Sequence, residues 1–126
     1  GDAVIGKQDK VNVDRLTDYK ILLVTGIAKT KPLTDFLTEQ KLDFQHLKYA
    51  DHHNFSEKNI EKVGTAFEGI DSGKKIILTT EKDYVRSFIE SKLDVYYLPI
   101  ETGFIEHQED FNRIIIDYVE QSSGDR

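Results

Sequence analysis

The chain has 126 residues, with 17 Lys and Arg against 23 Asp and Glu, a formal net charge of −6. This is the length of one domain, and 38% hydrophobic residues with 10% aromatics is enough for a packed core and too apolar for a disordered chain. The acidic balance argues against non-specific nucleic-acid binding, no apolar run approaches the roughly 18–20 residues of a membrane span, and the absence of Cys excludes a disulfide framework, a thiolate zinc site and a Cys nucleophile. The chain also lacks Met and opens Gly1-Asp2-Ala3. It therefore reads as an excised piece of a longer protein, with Gly1 left by tag removal.

Residues 1–19 carry short apolar alternations, Val4-Ile5 and Val11-Asn12-Val13, among charged residues. They read as a linker, or as a strand that pairs with sequence outside the chain. Tyr19 to Thr25 is a near-continuous apolar run closed by Gly26, the pattern of a strand covered on both faces. Pro32 opens a helix with Leu33, Phe36 and Leu37 at i, i+3, i+4 spacing. Leu42 to Tyr49 reads as a second strand anchored by Phe44 and Leu47. Asn54 with Glu57 has capping-box spacing, and the helix beyond it presents Ile60, Val63, Phe67 and Ile70 on one face. Lys75 to Thr80 reads as the third strand. Thr80 and Asp83 are again spaced as a capping pair, before a helix burying Tyr84, Val85, Phe88 and Ile89. Asp94 to Leu98 is the fourth strand. A last helix over Gln108 to Gln121 and a frayed tail, 122–126, follow.

Four strands alternating with helices predict right-handed crossovers and a mainly parallel sheet. The expected fold is a Rossmann-like α/β/α sandwich over 20–121, with four strands in the order 2-1-3-4. Ligands of such folds sit beyond the carboxyl ends of the strands. Three segments fall there: Thr25-Gly26-Ile27-Ala28, Asp51-His52-His53 and Thr79-Thr80-Glu81-Lys82-Asp83.

Several phosphate-handling patterns are missing. No G-x-x-x-x-G-K-[ST] cradle occurs, no G-x-G-x-x-G follows the first strand, and no G-x-S-x-G elbow is present. The first strand ends in Thr-Gly-Ile, without the acidic residues of a phosphoacceptor receiver domain.

Asp51-His52-His53 is the most suggestive cluster. A His whose tautomer is fixed by a carboxylate can act as a general base, and the trio has donors for a divalent metal. The plainer alternative makes Asp51 a cap and both His surface residues. Adjacent His point apart, so one at most faces a cleft. In the third segment, Thr80 and Asp83 are explained by capping and by the helix dipole, while the functional alternative is an anion or substrate contact at the helix start with Lys82 supplying charge. Gly26 either admits a ligand close to the backbone or simply supplies a turn. Arg86, one helical turn beyond Lys82, is within reach of a phosphate but reads first as solvated or ion-paired, and His46 and His107 read as structural.

Taken in order, Val24-Thr25-Gly26-Ile27-Ala28 with Lys31-Pro32-Leu33, then Tyr49-Ala50-Asp51-His52-His53-Asn54-Phe55, then Thr79-Thr80-Glu81-Lys82-Asp83-Tyr84-Val85-Arg86, and finally Tyr97-Leu98-Pro99, resemble the C-terminal half of the tetraacyldisaccharide 4'-kinase family. The resemblance covers about residues 20–100 and departs at Thr30, where the family usually has Pro. It implies a parent that transfers the ATP γ-phosphate to the 4'-hydroxyl of tetraacyldisaccharide 1-phosphate in lipid A biosynthesis. ATP and Mg2+ would be bound mainly by a P-loop domain N-terminal to this one. The implied partners are that domain, the acylated disaccharide and the cytoplasmic face of the bacterial inner membrane, with no nucleic acid. His52 would assist catalysis and Asp51 would orient it. Gly26, Thr80, Glu81, Lys82 and Asp83 would lie near substrate or phosphate, with no metal held by this chain. The fragment alone would be soluble and inactive. Two alternatives are a metal-dependent phosphoesterase using Asp51-His52-His53 and a non-catalytic α/β binding module.

Overall fold

A computed structural model of the chain describes residues 3–99. The expected helix over Gln108 to Gln121, the tail and His107 lie outside the described residues.

Four parallel strands form the centre of the sheet: β3 (Lys20–Thr25), β4 (Asp43–Lys48), β5 (Lys75–Thr80) and β6 (Val95–Leu98). In β3, five consecutive residues from Ile21 to Thr25 are buried, as a strand packed on both faces requires. Ile21, Leu23, Ile76 and Leu78 face one layer, while Leu22, Val24 and Ile77 face the other. The first layer contains α1 (Lys31–Glu39), which buries Leu33, Phe36 and Leu37. The second contains α2 (Glu57–Glu68), which buries Val63, and a short α3 (Glu81–Asp83) that continues as one π-helical turn, Tyr84–Phe88.

The sheet is six-stranded and mixed, which corrects the expectation of a four-stranded sheet. Its order is β2-β1-β6-β5-β3-β4. Residues 1–19 were expected to be a linker or to pair with absent sequence. Instead β1 (Ala3–Ile5) and β2 (Lys10–Asn12) form an antiparallel hairpin, and β1 pairs antiparallel with β6 through Ile5 and Tyr97. A 3-10 turn over Val13–Asp18 then buries Leu16 under the α1 face. Strands of three residues, Ala-Val-Ile and Lys-Val-Asn, joined by a Lys-Gln-Asp turn, are too short to carry a periodic signal. Their stability comes from tertiary packing: Val4 is fully buried, and Gly6 lies so close beneath the Tyr96 ring that a Cβ there would meet Cε2 at 2.8 Å. The Tyr96 hydroxyl donates to Asp9 Oδ1 at 2.6 Å, and burial together with this acidic partner pushes its pKa upward.

Two local expectations are also corrected. The cap of α2 is Ser56, not Asn54: Ser56 Oγ accepts from the Asn59 N–H at 3.2 Å, and the Asn59 side chain returns to the Ser56 N–H at 3.0 Å. Ser56 places the box one turn ahead of the apolar stripe that packs on the sheet. Val85 and Ile89 do not enter the core and are 62% and 51% exposed. This helical segment is short enough that a single stripe, Tyr84 and Phe88, reaches the sheet. At the other end of α2, Lys75 Nζ donates to the Phe67 carbonyl at 2.8 Å and to the Ile70 carbonyl at 3.3 Å. A cation on a helix's last carbonyls satisfies orphan acceptors and opposes the dipole.

Candidate functional site

The carboxyl ends of β3, β4 and β5 meet at Gly26. Its N–H donates to Asp83 Oδ2 at 2.8 Å, and its carbonyl accepts from the His52 N–H at 2.8 Å. One peptide thus ties the turn after β5 to the turn after β4. The space is closed on three sides. A Cβ at Gly26 would lie 3.1 Å from Asp83 Oδ1, 3.3 Å from the Ala50 carbonyl and 3.3 Å from His53 Cβ. Close approach of the Asp83 carboxylate, the Ala50 carbonyl and His53 Cβ, rather than a ligand, accounts for glycine here.

The β4 turn is built to separate its two histidines. The Tyr49 N–H reaches the Thr25 carbonyl at 2.7 Å, and the His53 N–H reaches the Ala50 carbonyl at 3.1 Å. His52 at the tip has φ 61°, the left-handed region that costs a non-glycine residue energy unless its surroundings fix it. Its side chain is 75% exposed, with Nε2 3.4 Å from Asp51 Oδ2. His53 turns inward. Its ring stacks on Tyr49 at 4.8 Å between centroids, meets Phe55 edge-on at 4.8 Å, and places Nε2 2.8 Å from Asn59 Oδ1. Phe55 packs on Phe88 and so joins this aromatic cluster to the core. The Asp51-His52-His53 trio is therefore split between solvent and interior.

Asp83 is fully buried. Its Oδ2 also accepts from the Thr80 hydroxyl at 2.8 Å, and Thr80 Oγ1 in turn accepts from the Asp83 N–H at 3.1 Å. Among the described residues its buried Oδ1 has no hydrogen-bond partner and lies 3.8 Å from Arg86 Nη1. The same guanidinium places Nη2 3.4 Å from His52 Nδ1. Of the expected site residues, Gly26, Asp51, His52, Thr80 and Asp83 thus form one connected cluster. Glu81 is half-buried and Lys82 is exposed on the first turn of α3. Arg86 completes the cluster and was not expected in it. Its signal was the i, i+3 spacing to Asp83, which puts acid and base on one helix face.

Behind the cluster, Thr25 Oγ1 lies 2.8 Å from His46 Nε2. Burial, and secondarily the charge of Lys48, lower the His46 pKa from 6.5. A His whose folded pKa is depressed binds fewer protons than in the unfolded chain, so its contribution to stability is lost as pH falls through about 6.5. The chain is expected to lose melting temperature between about pH 7.5 and pH 5.5. Substituting His46→Gln should flatten that dependence. An unchanged slope in the variant would show that another group carries it.

The donor set does not fit a divalent metal. Among the described residues no three His, Cys, Asp or Glu side chains converge. Asp51 and His52 face each other, His53 is turned onto Asn59, and a guanidinium adjoins the pair.

Comparison with known proteins adds to this geometry. Residues 3–120 match the family model described as tetraacyldisaccharide-1-P 4'-kinase. The chain belongs to this family. A tetraacyldisaccharide 4'-kinase of Flavobacterium johnsoniae is 38% identical over 121 residues, covering 94% of this chain and 33% of the relative. That of Phocaeicola vulgatus is 38% identical over 113 residues, covering 84% and 31%. That of Flavobacterium psychrophilum is 37% identical over 125 residues, covering 97% and 34%. The chain spans about a third of the length of the family members it matches. No solved structure matches it. The family match takes in the β1–β2 hairpin, and so extends beyond the segments that carry the resemblance in the sequence.

Proposed function

We propose that this chain is the C-terminal third of a tetraacyldisaccharide 4'-kinase, which transfers the ATP γ-phosphate to the 4'-hydroxyl of tetraacyldisaccharide 1-phosphate in lipid A biosynthesis. The observation that carries this reading is the exposed His52, fixed by its own N–H to Gly26 at the carboxyl ends of the parallel strands. Phosphoryl transfer asks mainly for positioning and charge stabilisation. With Nδ1 facing a guanidinium, which can only donate, Nε2 is the ring's donor side and lies beside Asp51. That donor suits a phosphoryl or hydroxyl oxygen. Asp51 orients the ring, and Lys82 adds positive charge to the same face.

The remaining two-thirds of the parent would bind ATP with its magnesium, since this sequence has no phosphate cradle. The acylated substrate would come from the cytoplasmic face of the inner membrane. Among the described residues no helix is long and apolar enough to cross a membrane, so contact there would be peripheral or made by the rest of the parent.

The test is division of labour. The full-length parent is expected to phosphorylate tetraacyldisaccharide 1-phosphate, followed by transfer of radiolabel from ATP. The pure 126-residue chain is expected to turn over no ATP. Turnover by the chain alone that disappears in His52→Ala would overturn this reading.

A further inference from the structure

Asp83 has a carboxylate oxygen that two short hydrogen bonds do not use. Oδ2 alone accepts from the Gly26 N–H and the Thr80 hydroxyl, each at 2.8 Å. Oδ1 is buried, accepts no hydrogen bond among the described residues, and lies 3.8 Å from Arg86 Nη1. A buried carboxylate oxygen without a donor is costly unless a charge stabilises it. Among the described residues Arg86 is the cation paired with it, and its other terminal nitrogen lies 3.4 Å from His52 Nδ1.

The geometry points to Arg86, anchored on Asp83, as a positioning residue for His52. This rests on the reading of His52 given above. Two routes run from one carboxylate to one imidazole. The backbone route passes from Asp83 Oδ2 through the Gly26 peptide to the His52 N–H, and fixes where the left-handed turn sits. The side-chain route passes from Asp83 Oδ1 through Arg86 to His52 Nδ1, and fixes which way the ring faces. Guanidinium donates only, so contact at Nδ1 leaves the ring proton at Nε2, on the Asp51 side. Neither Asp83 nor Arg86 needs to touch substrate for this.

The substitution Asp83→Asn separates the two routes. Both clamp bonds end on one oxygen, so the amide oxygen of Asn can accept them, while its NH2 replaces the oxygen that faces Arg86. In the full-length kinase, Asp83→Asn and Arg86→Gln are each expected to lower kcat roughly 10- to 100-fold, the scale for a misplaced reacting group, with KM for ATP unchanged. Arg86→Lys should recover part of the loss. Combined with His52→Ala, neither substitution should lower kcat further, because residues that act through one group are not additive. Losses that multiply with His52→Ala, or an unaltered kcat in both single variants, would overturn the positioning role.

Selective 13C labelling of His in the same full-length protein supplies a second readout. The His52 ring signals should move in both Asp83→Asn and Arg86→Gln, while those of His53 stay. Stationary His52 signals overturn the linkage whatever the kinetics. Moving signals with a fully active His52→Ala variant keep the linkage and reject the catalytic reading of His52. Should Asp83→Asn fail to fold, Arg86→Gln alone decides both points.

Discussion

In a full-length tetraacyldisaccharide 4'-kinase carrying this sequence, His52→Ala is expected to lower kcat by about a hundredfold or more, within the range for loss of a positioned proton donor or acceptor. The KM for ATP should stay close to normal, because the nucleotide is assigned to the rest of the parent. The backbone complicates an alanine substitution, since His52 has φ 61° and Ala disfavours that region. Asn tolerates it, so His52→Asn isolates the chemistry from the turn. Equal losses in both variants place the effect in the imidazole. A large loss in Ala with little in Asn would place it in the conformation of the turn. His53→Phe keeps the aromatic packing against Tyr49 and Phe55 and is expected to retain activity. Steady-state transfer of labelled phosphate to the disaccharide reads all of these.

The second large effect is on stability. Asp83→Ala is expected to destabilise the folded chain by about 3 kcal/mol, because two buried donors lose their acceptor at once. Gly26 lies at a junction where a Cβ would crowd its neighbours at 3.1–3.3 Å, and Thr80 is only 9% exposed. Neither can turn to solvent without opening the turns after β3 and β5. Urea denaturation followed by circular dichroism measures the change. Asp83→Asn should lose much less, since one amide oxygen can serve both donors. Equal destabilisation by Ala and Asn would instead assign the stabilisation to the charge pairing with Arg86.

The central strands were legible because a two-sided strand has to be apolar throughout, and Ile21 to Val24 and Ile76 to Leu78 can hardly be anything else. The helix after β3 was legible from Pro32 and the spacing of Leu33, Phe36 and Leu37. The hairpin was not, because Ala3–Ile5 and Lys10–Asn12 acquire their strand character from β6, far away in the chain. Likewise, the outward turn of Val85 and Ile89 depends on how much of α3 the sheet can cover. At the site, the three loops were placed by topology, and Asp51 and His52 by residue type. That His52 and His53 point apart was legible from their adjacency, but which of them faces solvent depends on the left-handed backbone of His52 itself, which no spacing rule reveals. Arg86 was read along the helix from Lys82 rather than from Asp83, so its partner was missed.

Pairing of Ile5 with Tyr97 also sets an order of events in time. Of the described elements the β1–β2 hairpin is synthesised first, yet the strand it must join is the last of them to emerge. Isolated two-stranded hairpins are marginal in water, so Val4, Gly6 and Asp9 must wait, and the Tyr96 ring and hydroxyl that hold them arrive only with β6. The β3–β5 centre can collapse earlier, since its crossovers connect neighbours in the chain. The nascent chain thus completes its sheet by a long-range closure, a slow class of step, and until then the apolar side of β6 stays open to chaperones and to other chains.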